Sequence, residues 1–232
     1  MEYVVIVIVL IFILAILAIV CGFNNSTLKE IKSMENEVDL NELTNKLPSN
    51  IEVCKKILKK LNNEKVKVEE NKESNTSLYI ALTDKISIAN VKDNFTRIQT
   101  IAHECLHSVQ DRKMLLFNFW FSNIYLLYFV VILVLLALNI LPYKMMFISI
   151  LIILSMVYYF VRSYLENDAM IKARYLSKEY MEEENILSKE EIDKIVNKYD
   201  YLNKIGIKCV NFQLFSNTFI KILIIGIISI IR

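Results

Sequence analysis
Histidine is nearly absent from this chain of 232 residues: it occurs twice, as His103 and His107. Two imidazoles cannot furnish the histidine-rich di-iron centre of membrane desaturases and hydroxylases, and a ferritin-like centre needs paired Glu-x-x-His motifs. Glycine (three residues) and proline (two) are equally scarce, which points to helices joined by few tight turns. An excess of one charge is also missing, since 27 basic face 25 acidic side chains, and nothing suggests a nucleic-acid footprint. The four cysteines, Cys21, Cys54, Cys105 and Cys209, lie far apart with no C-x-x-C pair. They read as free thiols of a reducing compartment rather than as a disulfide framework.

What the chain has in plenty is apolar residues, 55% of the total, gathered into blocks. Four blocks read as membrane spans. Tyr3 to Cys21 is uncharged and long enough for about 30 Å of hydrocarbon. Glu2 gives it the wrong flank for a signal peptide, so it reads as an uncleaved span. Leu115 to Leu141 and Met145 to Val161 are joined by Pro142-Tyr143-Lys144 and read as a helical hairpin. Trp120, Tyr125 and Tyr128, with Tyr158, Tyr159 and Tyr164, suit an interfacial aromatic belt. Leu214 to Ile231 is interrupted by Lys221 and reads either as a span with a snorkelling lysine or as an amphipathic interfacial helix.

The expected organisation is therefore an N-terminal transmembrane helix (1–21), a polar α+β segment (22–113), a transmembrane hairpin (114–162), a helical segment (163–213) and a last transmembrane or interfacial helix (214–232). In the first polar segment, Ile51 to Leu61 has a helical period after a Ser49/Asn50 cap. Lys65 to Glu69 alternates as a strand, Asn71 to Thr76 is a turn, and Ser77 to Leu82 is a second strand whose edge could pair with an extended peptide. Asp93 or Asn94 caps a helix that runs on towards the second span. In the other polar segment, Ser188 and Glu191 form a capping-box pattern. Because a hairpin separates them, both polar segments lie on one face of the membrane. That face carries Lys29, Lys32, Arg112, Lys113, Arg162, Lys172, Arg174, Lys204 and Lys208 within about 15 to 20 residues of span ends. Positive-inside counting puts both segments in the cytoplasm and both termini outside.

Both histidines belong to His103-Glu104-Cys105-Leu106-His107. On a helix, residues i and i+4 share a face, so the two imidazoles can bind one Zn²⁺ while the intervening glutamate reaches a coordinated water. A catalytic zinc takes three protein ligands and keeps one position open. With no third histidine, the remaining ligand must be a carboxylate or a cysteine. The hairpin returns the chain to the same face at Glu166-Asn167-Asp168. Glu166 is the favoured third ligand and Asp168 its competitor; two residues apart on a helix, they point to different faces. Cys105 is turned away from the histidines and reads as packing. Arg97, Arg174 and several tyrosines remain open as oxyanion donors.

These residues resemble the bacterial membrane-bound neutral zinc metallopeptidases of the YugP-like family. Ala102-His103-Glu104-Cys105-Leu106-His107-Ser108-Val109-Gln110 is similar to that family's A-H-E-x-G-H-A-x-Q, with Leu106 for glycine and Ser108 for alanine. Glu166-Asn167-Asp168-Ala169-Met170 is similar to its E-F-D-A-S. Val66 to Glu70 also resembles it, while the polar loop expected between Glu70 and Ser77 is shortened. A second group of integral-membrane zinc peptidases places an aspartate four residues after the glutamate. Here that position is Met170, and the likeness is weaker. The resemblance implies a mainly α integral membrane protein with about four transmembrane helices and a small α+β zinc-peptidase segment. It also implies a Zn²⁺-dependent endopeptidase with a protein or peptide substrate, Glu104 as general base, and His103, His107 and Glu166 as ligands. The alternative is a catalytically inactive, metal-stabilised membrane protein acting as a binding or assembly factor.

Overall fold
The computed structural model describes residues 2–22, 24–34, 37–71, 73–74, 76–89, 91 and 94–231. Its chain divides into two compact units. One comprises Met1–Asn24, Phe117–Tyr164 and Lys208–Arg232; the other comprises Asn25–Leu116 and Leu165–Ile207.

The first unit is built from helices. It contains α1 (Glu2–Val20) and parts of α6 (Arg112–Ala137), α7 (Lys144–Glu184) and α8 (Lys189–Ile231). All four helices are long and apolar enough to cross a membrane. Tyr125, Ile132, Leu136, Leu151 and Ile225 form its interior. Large apolar side chains such as Ile8, Phe12, Leu127, Ile153 and Phe160 stand exposed on the outside. That inside-and-outside apolar pattern suits helices surrounded by lipid, which satisfy every backbone polar group within themselves. A Cβ added at Gly226 would lie 2.9 Å from Val7 Cγ2, so glycine is what lets α8 approach α1 so closely. Lys221 lies with its Nζ 4.6 Å from the centroid of the Tyr125 ring and 5.9 Å from that of Tyr158. The lysine that interrupts the last apolar block therefore rests over aromatic faces of α6 and α7. The expected three-residue hairpin link is longer, because α6 stops at Ala137. Asn139 and Tyr143 then take left-handed backbone (φ 55° and 47°), which ends one helix before the next begins.

The second unit holds α2 (Asn25–Met34), α3 (Val38–Asn45), α4 (Asn50–Lys60), a three-stranded sheet, α5 (Arg97–Val109) and the remaining parts of α7 and α8. Ser49 caps α4 in a reciprocal box: its Oγ accepts from the Glu52 N–H at 3.4 Å, and Glu52 Oε2 accepts from the Ser49 N–H at 3.0 Å. Val53, Cys54, Ile57 and Leu58 recur at helical spacing and are buried. Ser188 and Glu191 form the same box at the start of α8. The sheet order is β1 (Lys67–Asn71), β3 (Lys85–Ala89), β2 (Leu78–Ile80). β3 pairs parallel with β1 from Lys67↔Lys85 to Asn71↔Ala89, and antiparallel with β2 through Tyr79↔Ile86.

The structure corrects several expected boundaries. The central strand β3 was absent from the sequence reading, although Lys85-Ile86-Ser87-Ile88-Ala89 carries buried Ile86 and Ile88 in alternation. The first strand runs from Lys67 rather than Lys65, in register with β3. The second is confined to Leu78–Ile80, because residues 81–84 turn the chain and Asp84 is left-handed (φ 50°). Of the expected caps before α5, Asp93 lies outside the described residues. Asn94 stands before the helix, its Oδ1 accepting from both the N–H and the hydroxyl of Thr96 at 2.9 Å. Nor does α5 continue into the second span. Gln110 is extended (φ −66°, ψ 161°), and α6 starts afresh with Asp111 Oδ1 accepting from the Lys113 N–H at 2.9 Å.

Arg97 is 3% exposed and organises the connection before α4. Its guanidinium donates to the carbonyls of Thr44, Leu47 and Pro48 and to Asn50 Oδ1, at 2.6 to 3.0 Å. A cation placed on the carbonyls that end α3 also opposes the helix dipole favourably. Lys56–Glu184 and Lys60–Glu183 link α4 to α7 at the surface, where such pairs contribute little.

Candidate metal centre
The candidate metal centre lies within the second unit. Helix α5 is amphipathic, with Ile98, Ile101, Ala102 and Cys105 buried in the core. Its 3.6-residue period brings His103 and His107 together on another face. Their Nε2 atoms are 3.0 Å apart and their rings meet edge to face at 4.6 Å. Helix α7 supplies the third group. Leu165, Ala169 and Ala173 are buried, and Glu166 sits beside that stripe. Its Oε2 lies 3.4 Å from His103 Nε2 and 3.7 Å from His107 Nε2.

These separations test whether a cation fits. A triangle with those three sides has a circumradius of about 2.0 Å, so one point is equidistant from all three donors at the usual zinc–nitrogen and zinc–oxygen bonding distance. A tetrahedral ion with bonds of about 2.0–2.1 Å separates its ligands by about 3.3–3.4 Å, near the mean of the observed values. The donor set, two imidazoles and a carboxylate, suits zinc and other borderline divalent ions. The three side chains are 10 to 19% exposed, so the site is recessed but reachable.

Glu104 occupies the neighbouring position and is buried. Its Oε2 accepts a 2.6 Å hydrogen bond from the backbone N–H of Tyr79, in the edge strand β2. Burial pushes the Glu104 carboxyl above the usual range, against the pull of His103, His107 and the Tyr79 amide. Burial alone would lower His107, yet contact with Glu166, its charge and the Gln110 hydrogen bond outweigh that and raise it.

Asp168, the competing ligand, points elsewhere. Its carboxylate accepts from Lys172 Nζ at 2.6 Å and from Gln110 Nε2 at 3.2 Å. Partial burial works against its charge, but those two donors hold its pKa below the usual aspartate value. Glu166, not Asp168, converges with the histidines. Gln110 also touches His107: its Oε1 is 2.8 Å from Nδ1, while its Nε2 donates to the Leu165 carbonyl at 2.8 Å. In the sequence, Gln110 stands out only as the last residue of the Ala102–Gln110 motif. Its position three residues after His107, where a short polar side chain reaches back over one turn, was the available signal.

The arginines left open as oxyanion donors are committed to other partners. Arg97 holds the carbonyls before α4, and Arg174 pairs with Asp200 and stacks 4.5 Å over the Tyr175 ring. The phenol of Tyr79 donates to Asp84 Oδ1 at 2.8 Å, and burial with that bond pushes its pKa up to about 12. Cys105 is buried with its Sγ 3.5 Å from Cys54 Sγ, and burial and Cys54 raise its pKa well above the ordinary thiol value. It packs between α4 and α5 and is not among the metal donors. No family model, curated protein or solved structure matches the chain. The functional reading therefore rests on the site itself.

Proposed function
We propose that this protein is a zinc-dependent metalloendopeptidase embedded in the cell membrane. The observation that carries the reading is the convergence of His103, His107 and Glu166 at bonding radius, beside a buried Glu104. A bound zinc supplies Lewis acidity, lowering the pKa of a coordinated water to about 7 and polarising a carbonyl. His103, His107 and Glu166 would hold the ion through two imidazole nitrogens and a carboxylate oxygen. Glu104, its pKa raised by burial and its carboxylate oriented by the Tyr79 amide, takes the proton from the attacking water. The same carboxyl then delivers that proton to the leaving amine. Strand β2 is at the sheet edge, and its Tyr79 amide is engaged by Glu104, so the strand serves to hold that carboxylate in place.

Four long apolar helices support residence in a bilayer, and the positive-inside count supports a cytoplasmic site. The expected substrates are accordingly membrane-associated or unfolded proteins. Glu104→Gln removes the proton acceptor without removing a metal donor. It should abolish cleavage of an unfolded reporter protein while zinc content stays at the wild-type level. Proteolysis retained by that variant, in a preparation free of other proteases, would overturn the proposal.

A further inference from the structure
We propose that Gln110 is a positioning residue: it locks His107 in the tautomer that presents Nε2 to the metal, and it does so through a backbone carbonyl of α7. The inference deepens the metal-hydrolase reading and rests on it for its consequence, but its first step is a property of the metal-free chain.

A carboxamide has one end that only donates and one that only accepts. The Leu165 carbonyl can only accept, and it lies 2.8 Å from one end of the Gln110 side chain. That end is therefore the NH₂ group, and the Asp168 carboxylate 3.2 Å away, also an acceptor, demands the same orientation. The amide oxygen is then left facing His107 Nδ1 at 2.8 Å. An oxygen there requires a hydrogen on Nδ1. In the neutral ring the other nitrogen, Nε2, is consequently unprotonated and directs its lone pair towards His103 and Glu166.

Three consequences meet in this side chain. The extended backbone that ends α5 at Gln110 allows the amide to turn back over the last helical turn and reach His107. Its NH₂ end binds the carbonyl of Leu165, the residue directly before Glu166, so one amide orients a histidine ligand and holds the backbone carrying the carboxylate ligand. Asp168, paired with Lys172, accepts a second bond from the same NH₂ group and so helps fix which way the amide faces. Groups of this kind that orient a ligand typically change metal affinity about 10- to 100-fold when removed.

The test uses the full chain in detergent, purified without a histidine tag and labelled with ¹⁵N-histidine. With two histidines in the sequence, the imidazole spectrum is simple, and His103→Gln assigns it. On the alkaline plateau of the imidazole ¹⁵N shifts, where the spectrum itself reports a neutral ring, wild type without added metal should show His107 protonated at Nδ1. Gln110→Leu should populate the Nε2–H form and weaken zinc binding about tenfold or more. A wild-type His107 protonated at Nε2 overturns the inference without any variant. So does a Gln110→Leu protein with the wild-type tautomer and zinc affinity within about twofold. If wild type shows the Nδ1–H tautomer and Gln110→Leu loses it, yet no divalent ion binds, the role of Gln110 stands and the hydrolase reading falls.

Discussion
Removing Glu166 separates the two candidate ligands of α7, Glu166 and Asp168, most cleanly. Glu166→Ala deletes one of three donors that lie on a circle of about 2.0 Å radius. A structural zinc site with four protein ligands gains about 10–16 kcal/mol from binding, or roughly 3 kcal/mol per ligand. At 1.4 kcal/mol per tenfold, losing one ligand weakens zinc binding by about 10²- to 10³-fold. Asp168→Ala removes no donor. It frees Lys172 and takes one of two acceptors from the Gln110 amide, whose bond to the Leu165 carbonyl survives, so the expected loss is tenfold at most. The assay is competition for zinc against a chromophoric chelator, with purified wild type and both variants side by side. Equal losses, or a larger loss in Asp168→Ala, would refute the assignment of the third ligand and the geometry behind it.

Further tests address the proton and the scaffold. Because Glu166 raises the pKa of His107, a proton competes with zinc from a higher pH than an ordinary imidazole near 6.5 would allow. Zinc affinity should therefore decline on acidification beginning above that value; a decline that starts only below it would contradict the coupling. The sign reverses for the metal-free protein, where the raised pKa contributes stability below the ordinary histidine range and loses it as pH rises through the raised value. Metal-free thermal stability followed from pH 5 to 9 checks this, and a rise across that window attributable to His107 would count against it. Arg97→Leu strands three carbonyls and the Asn50 oxygen in the core, at a cost of about 3–5 kcal/mol, visible as a large fall in the denaturation midpoint. Ser49→Ala breaks the α4 capping box and should cost about 1 kcal/mol in the same assay.

Much of this was legible from local signals because their physics is local. The α4 and α8 caps each involve groups three residues apart, and a Ser-x-x-Glu pattern satisfies backbone donors wherever the chain is placed. The apolar blocks announce their helices through length and freedom from charge, although not where each stops. Whether α6 ends at Ala137 or Leu141 depends on left-handed backbone at Asn139, which composition does not reveal. Strand β3 escaped because five residues with two buried isoleucines are a weak pattern until β1 and β2 pair with them on either side.

By itself, the sequence determined that the only two imidazoles lie four apart around a glutamate, a spacing that becomes a shared face as soon as the segment is helical. It also determined that no third histidine could complete the set. Only the tertiary structure decided which carboxylate converges with the two imidazoles. Glu166 and Asp168 are chemically alike and two residues apart, and α7 must be packed before one points at the histidines and the other at Lys172 and Gln110. The same holds for Arg97, an apparent oxyanion donor until the fold buries it against the carbonyls before α4. Spacing along one helix fixes which residues share a face; the partner of that face comes from a segment more than 50 residues away, and its rotation about its own axis is set by side chains packed in the core.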